Sequence, residues 1–113
     1  MIELIPDEQK KNFFLNIKGN ATIEEAAEYQ KIFIKAADQK NLIIKIIKLD
    51  NYDATFLQLL AALIEAFQGG QSKSLSFDKW SLSILRDCLK KFGYLKHSLF
   101  LPYINHKGVK DEK

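Results

Sequence analysis

Apolar and polar residues alternate weakly over Ile2 and Leu4, and clearly over Phe13, Leu15 and Ile17 with Asn12, Asn16 and Lys18 between and beside them. A period of two is that of a strand with one buried face, so both segments read as strands. Pro6-Asp7 closes the first and Gly19-Asn20 the second. Phe14 breaks the alternation and is expected on the opposite face. The period then changes. Thr22-Ile23-Glu24-Glu25 has a hydroxyl and a carboxylate three residues apart, the pattern of a capping box. The helix it opens is expected to run to about Asp38, with Ile23, Ala26, Ala27, Phe33, Ile34 and Ala37 inward and Glu24, Glu28, Lys31 and Lys35 toward water.

Leu42-Ile43-Ile44-Lys45-Ile46-Ile47 is rich in β-branched residues and too short for a helix, so it reads as a central strand. Asp50-Asn51-Tyr52-Asp53 reads as a polar break of turn and cap formers. A helix is expected from about Ala54 to Phe67, apolar over much of its circumference and stopped at Gly69-Gly70. Leu75 and Phe77 suggest a short strand, and Asp78 or Ser81 can cap the helix after it. That helix carries Leu82, Leu85, Cys88, Leu89 and Phe92 on one stripe, with Gly93 past its end. The segment from Leu99 to Ile104 is apolar enough to pack as a last strand or an extended arm.

The order is β-β-α-β-α-β-α with an apolar C-terminal arm. Strands that alternate with helices of this length predict an α/β fold, in which parallel neighbours are joined by right-handed crossovers. The chain of 113 residues suits one domain over residues 1–107, with 108–113 as a flexible tail.

Composition narrows the function. Apolar residues make up 47%, enough for a core, and the net charge is only +3. Arg86 is the single arginine and the lysines are scattered, whereas nucleic-acid binders carry a clustered basic stripe. No nucleic-acid partner is expected. The start of the chain lacks the basic head and long apolar core of a signal peptide. No apolar run approaches the ~20 residues of a membrane span. The expectation is a cytoplasmic protein with no direct membrane insertion. Cys88 is alone, so no internal disulfide is expected.

Candidate chemistry is sparse. His97, His106 and Cys88 match no common zinc spacing, so no metal is expected. Cys88 falls on the buried stripe of its helix, which reads as a core thiol. Gly69-Gly70-Gln71-Ser72-Lys73-Ser74 lacks the phosphate-loop spacing and leads into a strand, where such a loop leads into a helix. No nucleophile, base and orienting group fall together, so neither catalysis nor a cofactor is expected. The stretch from Lys48 to Leu60 stands out because it joins the central strand to a helix N-terminus. Such an end attracts an anion, or is simply capped by Asp53 with help from Asn51 and Thr55.

Asp53-Ala54-Thr55-Phe56-Leu57-Gln58-Leu59-Leu60 resembles the signature loop and helix of STAS domains, the family of bacterial anti-sigma-factor antagonists. Many chemotaxis-linked members read Leu-Gln-Leu-Leu there, as Leu57 to Leu60 do. Phe14 to Glu24 is similar to the family's strand and Gly-x-Leu/Ala-Thr-Ile lead into its first helix. Ser83 to Tyr94 is similar to its last helix and the Gly-hydrophobic pair after it. The resemblance covers about residues 10 to 100.

It implies a STAS fold with a central mixed sheet and a non-enzymatic regulatory role. The implied partner-binding residues are Asp50, Asn51, Tyr52, Asp53, Ala54, Thr55 and Phe56. The implied partner is an anti-sigma factor or serine kinase. The alternatives are an unphosphorylated STAS subunit bound to an ABC-transporter ATPase or a chemotaxis-type sensory kinase, or a small-ligand or nucleotide binder. Family members are phosphorylated on the hydroxyl directly after the signature Asp. This chain has Ala54 there, which leaves Thr55 as the phosphoacceptor candidate.

Overall fold

The computed structural model describes residues 1–9, 11–69, 72–94 and 98–104. Gly70, His97, His106 and the expected tail at 108–113 lie outside them. Strands β1 (Ile2–Pro6), β2 (Phe13–Ala21), β3 (Asn41–Tyr52) and β4 (Ser74–Phe77) form one mixed sheet in the order β1-β2-β3-β4. β1 and β2 pair antiparallel; β2–β3 and β3–β4 pair parallel. Helix α1 (Ala26–Ala37) joins β2 to β3, α2 (Ala54–Gln68) joins β3 to β4, and α3 (Lys79–Lys91) follows β4.

Register explains the core. Leu4, Leu15, Ile44 and Phe77 form one row across the sheet, and Ile2, Ile17 and Ile46 form the next. Both rows lie on one face and are buried except for half-buried Leu4. From α2, Leu57, Leu60 and Ile64 are fully buried, as the helical spacing predicts. From α3, Leu85, Cys88 and Leu89 join the same core. Phe14 points away from it, as expected, together with Ile5 and Ile43 in its row.

Four local expectations change. The buried positions of α1 are Tyr29, Phe33 and Ala36, whereas Ile23 and Ile34 are 69% and 61% exposed. Tyr29 can enter the core because its hydroxyl donates to the Asn20 carbonyl at 3.0 Å.

β3 does not stop at Asp50. It runs to Tyr52 because β2 stays paired with it through two register shifts, one at Ile17/Lys18 and one at Gly19/Asn20. Gly19 allows this with φ of 92°, a left-handed conformation that a side chain would oppose.

Asp78 alone caps α3, accepting from the Ser81 N–H at 2.8 Å. Ser81 is buried and does something else: its hydroxyl accepts the Ile46 N–H at 2.5 Å, past the point where β4 ends. It thereby satisfies a sheet donor that has no strand beside it.

The apolar arm is not extended. Leu101–Ile104 coils into a short helix, α4, which buries Phe100 and Ile104 and sets Tyr103 edge-on to Phe77 at 5.3 Å.

Candidate functional site

Two strand-to-helix junctions lie side by side, because β2 and β3 are neighbours and run parallel. At the first, Thr22 opens a 3-10 turn over Ile23–Glu25 that leads into α1. The Glu25 carboxylate accepts both the Thr22 N–H (2.9 Å) and the Thr22 hydroxyl (2.7 Å). These two bonds, the hydroxyl first, hold the Glu25 carboxyl below its usual pKa. The capping box expected from the sequence is therefore present.

At the second junction Asp53 is the N-cap of α2. Its Oδ1 accepts the Thr55 N–H at 3.0 Å. Its Oδ2 accepts the Ile23 N–H at 2.9 Å, from a residue 30 positions earlier. One carboxylate thus caps the helix and fastens the neighbouring turn to it. Asn51 adds a second tie, donating from Nδ2 to Asn20 Oδ1 at 2.9 Å. The Tyr29–Asn20 bond, and the edge-on contact of the Tyr29 and Phe56 rings at 6.3 Å, join the junctions from beneath.

The anion reading of the α2 N-terminus weakens on this geometry. The negative charge that a helix start favours is already supplied by Asp53, and its Oδ1 occupies the Thr55 N–H.

The structure brings the sequence-selected residues together with one exception. Asp50 and Asn51 are exposed; Tyr52, Asp53, Ala54 and Thr55 are half-buried. The Thr55 hydroxyl has no hydrogen bond among the described residues. Phe56 is the correction: at 1% exposure it lies under the surface and shapes it from below, because it starts the buried stripe of α2. The Lys48–Asp50 ion pair at 3.4 Å is exposed and contributes little.

Tyr52 is held from the side by α3. Its ring meets Phe92 edge-on at 5.9 Å, and Lys91 lies 5.1 Å above it. Burial, then the neighbouring Cys88 and Asp87, raise its phenol pKa. Burial likewise pushes the Cys88 thiol up to about 11, although the neighbouring Tyr52 opposes this. Cys88 is a core thiol, with no activating positive field strong enough to make it a nucleophile. A groove of about 340 Å³ runs beside this pair, lined by Ile47, Leu49 and Ile84 among others.

Sequence reasoning missed Ile23 and Asn20 as members of the site. Asn20 reads as a turn former and Ile23 as an inward helical position. Nothing local tells that each meets a residue on the other junction. Among the described residues no group of three or more His, Cys, Asp and Glu could hold a metal ion, and no helix is long and apolar enough to cross a membrane.

No protein-family model matches the chain, and no curated protein matches it by sequence. Among solved structures, it is similar to the anti-sigma factor antagonist SpoIIAA in its unphosphorylated form. The identity is 11% and the TM-score 0.50, over 78% of this chain and 98% of that one. A protein of the DUF3478 family with a SpoIIAA-like fold, from Shewanella loihica PV-4, aligns at 15% identity and a TM-score of 0.41, over 78% of each chain. At such identities the likeness is one of fold. The chain has the α/β fold of the anti-sigma factor antagonist, the STAS fold expected from its sequence.

Proposed function

We propose that this chain, built on the fold of an anti-sigma factor antagonist, is a non-enzymatic regulatory module that docks a partner protein through its paired junctions. The observation that carries the reading is the Asp53 carboxylate, which binds the Thr55 and Ile23 N–H groups at once. It makes one surface of two loops: Asp50 to Thr55 on one side and the turn at Ile23 on the other. Ile23 supplies the apolar contact that docking needs, since an isoleucine 69% exposed beside a polar loop gains most from being covered. The partner is an anti-sigma factor or serine kinase.

Thr55 is the phosphoacceptor within that surface. A phosphate there adds about −1.5 to −2 charges at a helix N-terminus, which tolerates them, so the fold survives. Docking does not survive, because the anion sits beside Asp50 and Asp53 and spreads across the interface. A second reading, an unswitched subunit of an ATPase or sensory-kinase complex, is favoured by Ala54 at the position where the family carries its hydroxyl.

The neighbouring genes identify which protein to purify. Wild type, Thr55→Ala and Thr55→Glu are then compared for binding, with circular dichroism to establish folding, and phosphosites are mapped after incubation with the co-encoded kinase. The switch reading expects phosphate on Thr55 and weakened binding by Thr55→Glu alone. Phosphate only elsewhere, or wild-type binding by Thr55→Glu, leaves the unswitched reading in its place.

A further inference from the structure

The sheet has a second face, opposite the buried rows. Its residues follow from register. Ile5, Phe14 and Ile43 form one row across β1, β2 and β3; Glu3, Asn16 and Lys45 form the next. Ile5 is exposed, and Phe14 and Ile43 are half-buried. The apolar row therefore lies beside a row that runs from an anion on β1, through an amide on β2, to a cation on β3.

Two features of the polar row are unusual for a face meant only for water. The Asn16 Oδ1 is buried and has no hydrogen-bond partner among the described residues. A polar atom in that state costs stability unless something else completes it. Lys45 does not extend into solvent; its ammonium lies 4.7 Å from the centre of the Phe14 ring, which keeps the charge on the face. Among the described residues neither Glu3 nor Lys45 has an ion-pair partner.

We propose that this face binds a second copy of the chain. The pattern is self-complementary about one axis. A two-fold axis along β2, midway between two facing sheets, sets Glu3 of each copy over Lys45 of the other. It sets Asn16 over Asn16 at the centre of the row. In the next row it sets Phe14 over Phe14 and Ile5 over Ile43. The strands of the two sheets are then roughly aligned, a common way for sheets to pack face to face. An axis across the strands fails, because it puts Glu3 over Glu3 and Lys45 over Lys45. Lys18, one row further along β2, ends the patch at a rim where its long side chain reaches water. The interface is isologous and closes at two copies.

The test uses charge reversal and mixing. Sedimentation velocity on the full chain gives the mass of wild type, Glu3→Lys and Lys45→Glu across a dilution series, and circular dichroism checks that both variants fold. Wild type is expected to be dimeric. Each variant alone places like charges over one another at both ends of the row, so its dimer is expected to be weakened at least about tenfold. Mixing the two variants restores attraction at both ends, and the mixture is expected to dimerise about as tightly as wild type. A wild type that stays monomeric at every concentration overturns the proposal. So do variants that dimerise as wild type does, or a mixture no tighter than its components. Those results leave the face to a different partner or to solvent.

Discussion

The chain leaves its sheet for a helix at two adjacent places, and the two junctions are built on different principles. After β2, Thr22 and Glu25 close on each other within one turn, so the capping box is made by residues three apart in sequence. After β3, Asp53 divides its oxygens between its own helix and the first junction. The first junction closes within itself except at the Ile23 N–H, whereas the second reaches across to supply that group. A contact that exists only when two distant loops meet can transmit a change in one loop to the other, and a purely local cap cannot.

The contrast can be broken from beneath. Both junctions depend on α2 staying in place, and Leu60 is fully buried at the centre of it. Leu60→Ala is expected to cost about 2–5 kcal/mol by urea unfolding, through lost transfer energy and the cavity left behind. A cost under about 1 kcal/mol contradicts the placement.

Asp53 sharpens the contrast. Asp53→Ala loses a cap and a second hydrogen bond, each about 1 kcal/mol, and should cost about 2 kcal/mol. Asp53→Asn keeps one acceptor for the cap and loses the other, so it should cost about half as much. Thr22→Ala, at the first junction, should cost less than either. Equal costs at the two junctions would remove the distinction.

The junctions also titrate at opposite ends of the pH scale. Tyr29, which touches both, has its phenol pushed up to about 12 by burial first and by Glu25 and Glu28 second. Its stabilising contribution is complete below pH 10.0, the ordinary tyrosine value, and is lost as pH rises toward 12. Tyr29→Phe should flatten the alkaline limb of a stability–pH profile. Glu25 has the reverse sign. Its pKa is lowered from 4.5, so its contribution is complete above that value and fades as pH falls through the folded value. This is the smallest expected effect. It should appear as a stability difference between wild type and Glu25→Gln at neutral pH that shrinks in acid.

Much of this was legible in the sequence for a physical reason: helix starts and buried stripes are local. Asp53 as N-cap, α2 with its buried Leu57 and Leu60, the capping box at Thr22 and the outward turn of Phe14 all follow from neighbours within a few residues. What was not legible depends on partners far along the chain. Ser81 reads as a cap yet serves the Ile46 N–H, 35 residues away. Asp50-Asn51 reads as a break yet continues β3, because β2 lies beside it and Asn51 bonds Asn20 across 31 residues. Ile23 reads as core and is exposed, since the 3-10 turn rotates it off the α1 stripe. Phe56 was expected on the docking surface and is buried, because the burial of α2 begins one residue after Thr55.

The central claim is that the two junctions form one docking surface. Amide chemical-shift mapping tests it most directly, with labelled chain titrated by the purified partner encoded beside it. The account predicts that the perturbed amides cluster at Asn20 to Glu25 and Asp50 to Phe56, and that in Asp53→Asn the Asn20 to Glu25 set no longer responds with the other. Perturbations centred elsewhere, or the same coupled response from Asp53→Asn, would contradict it.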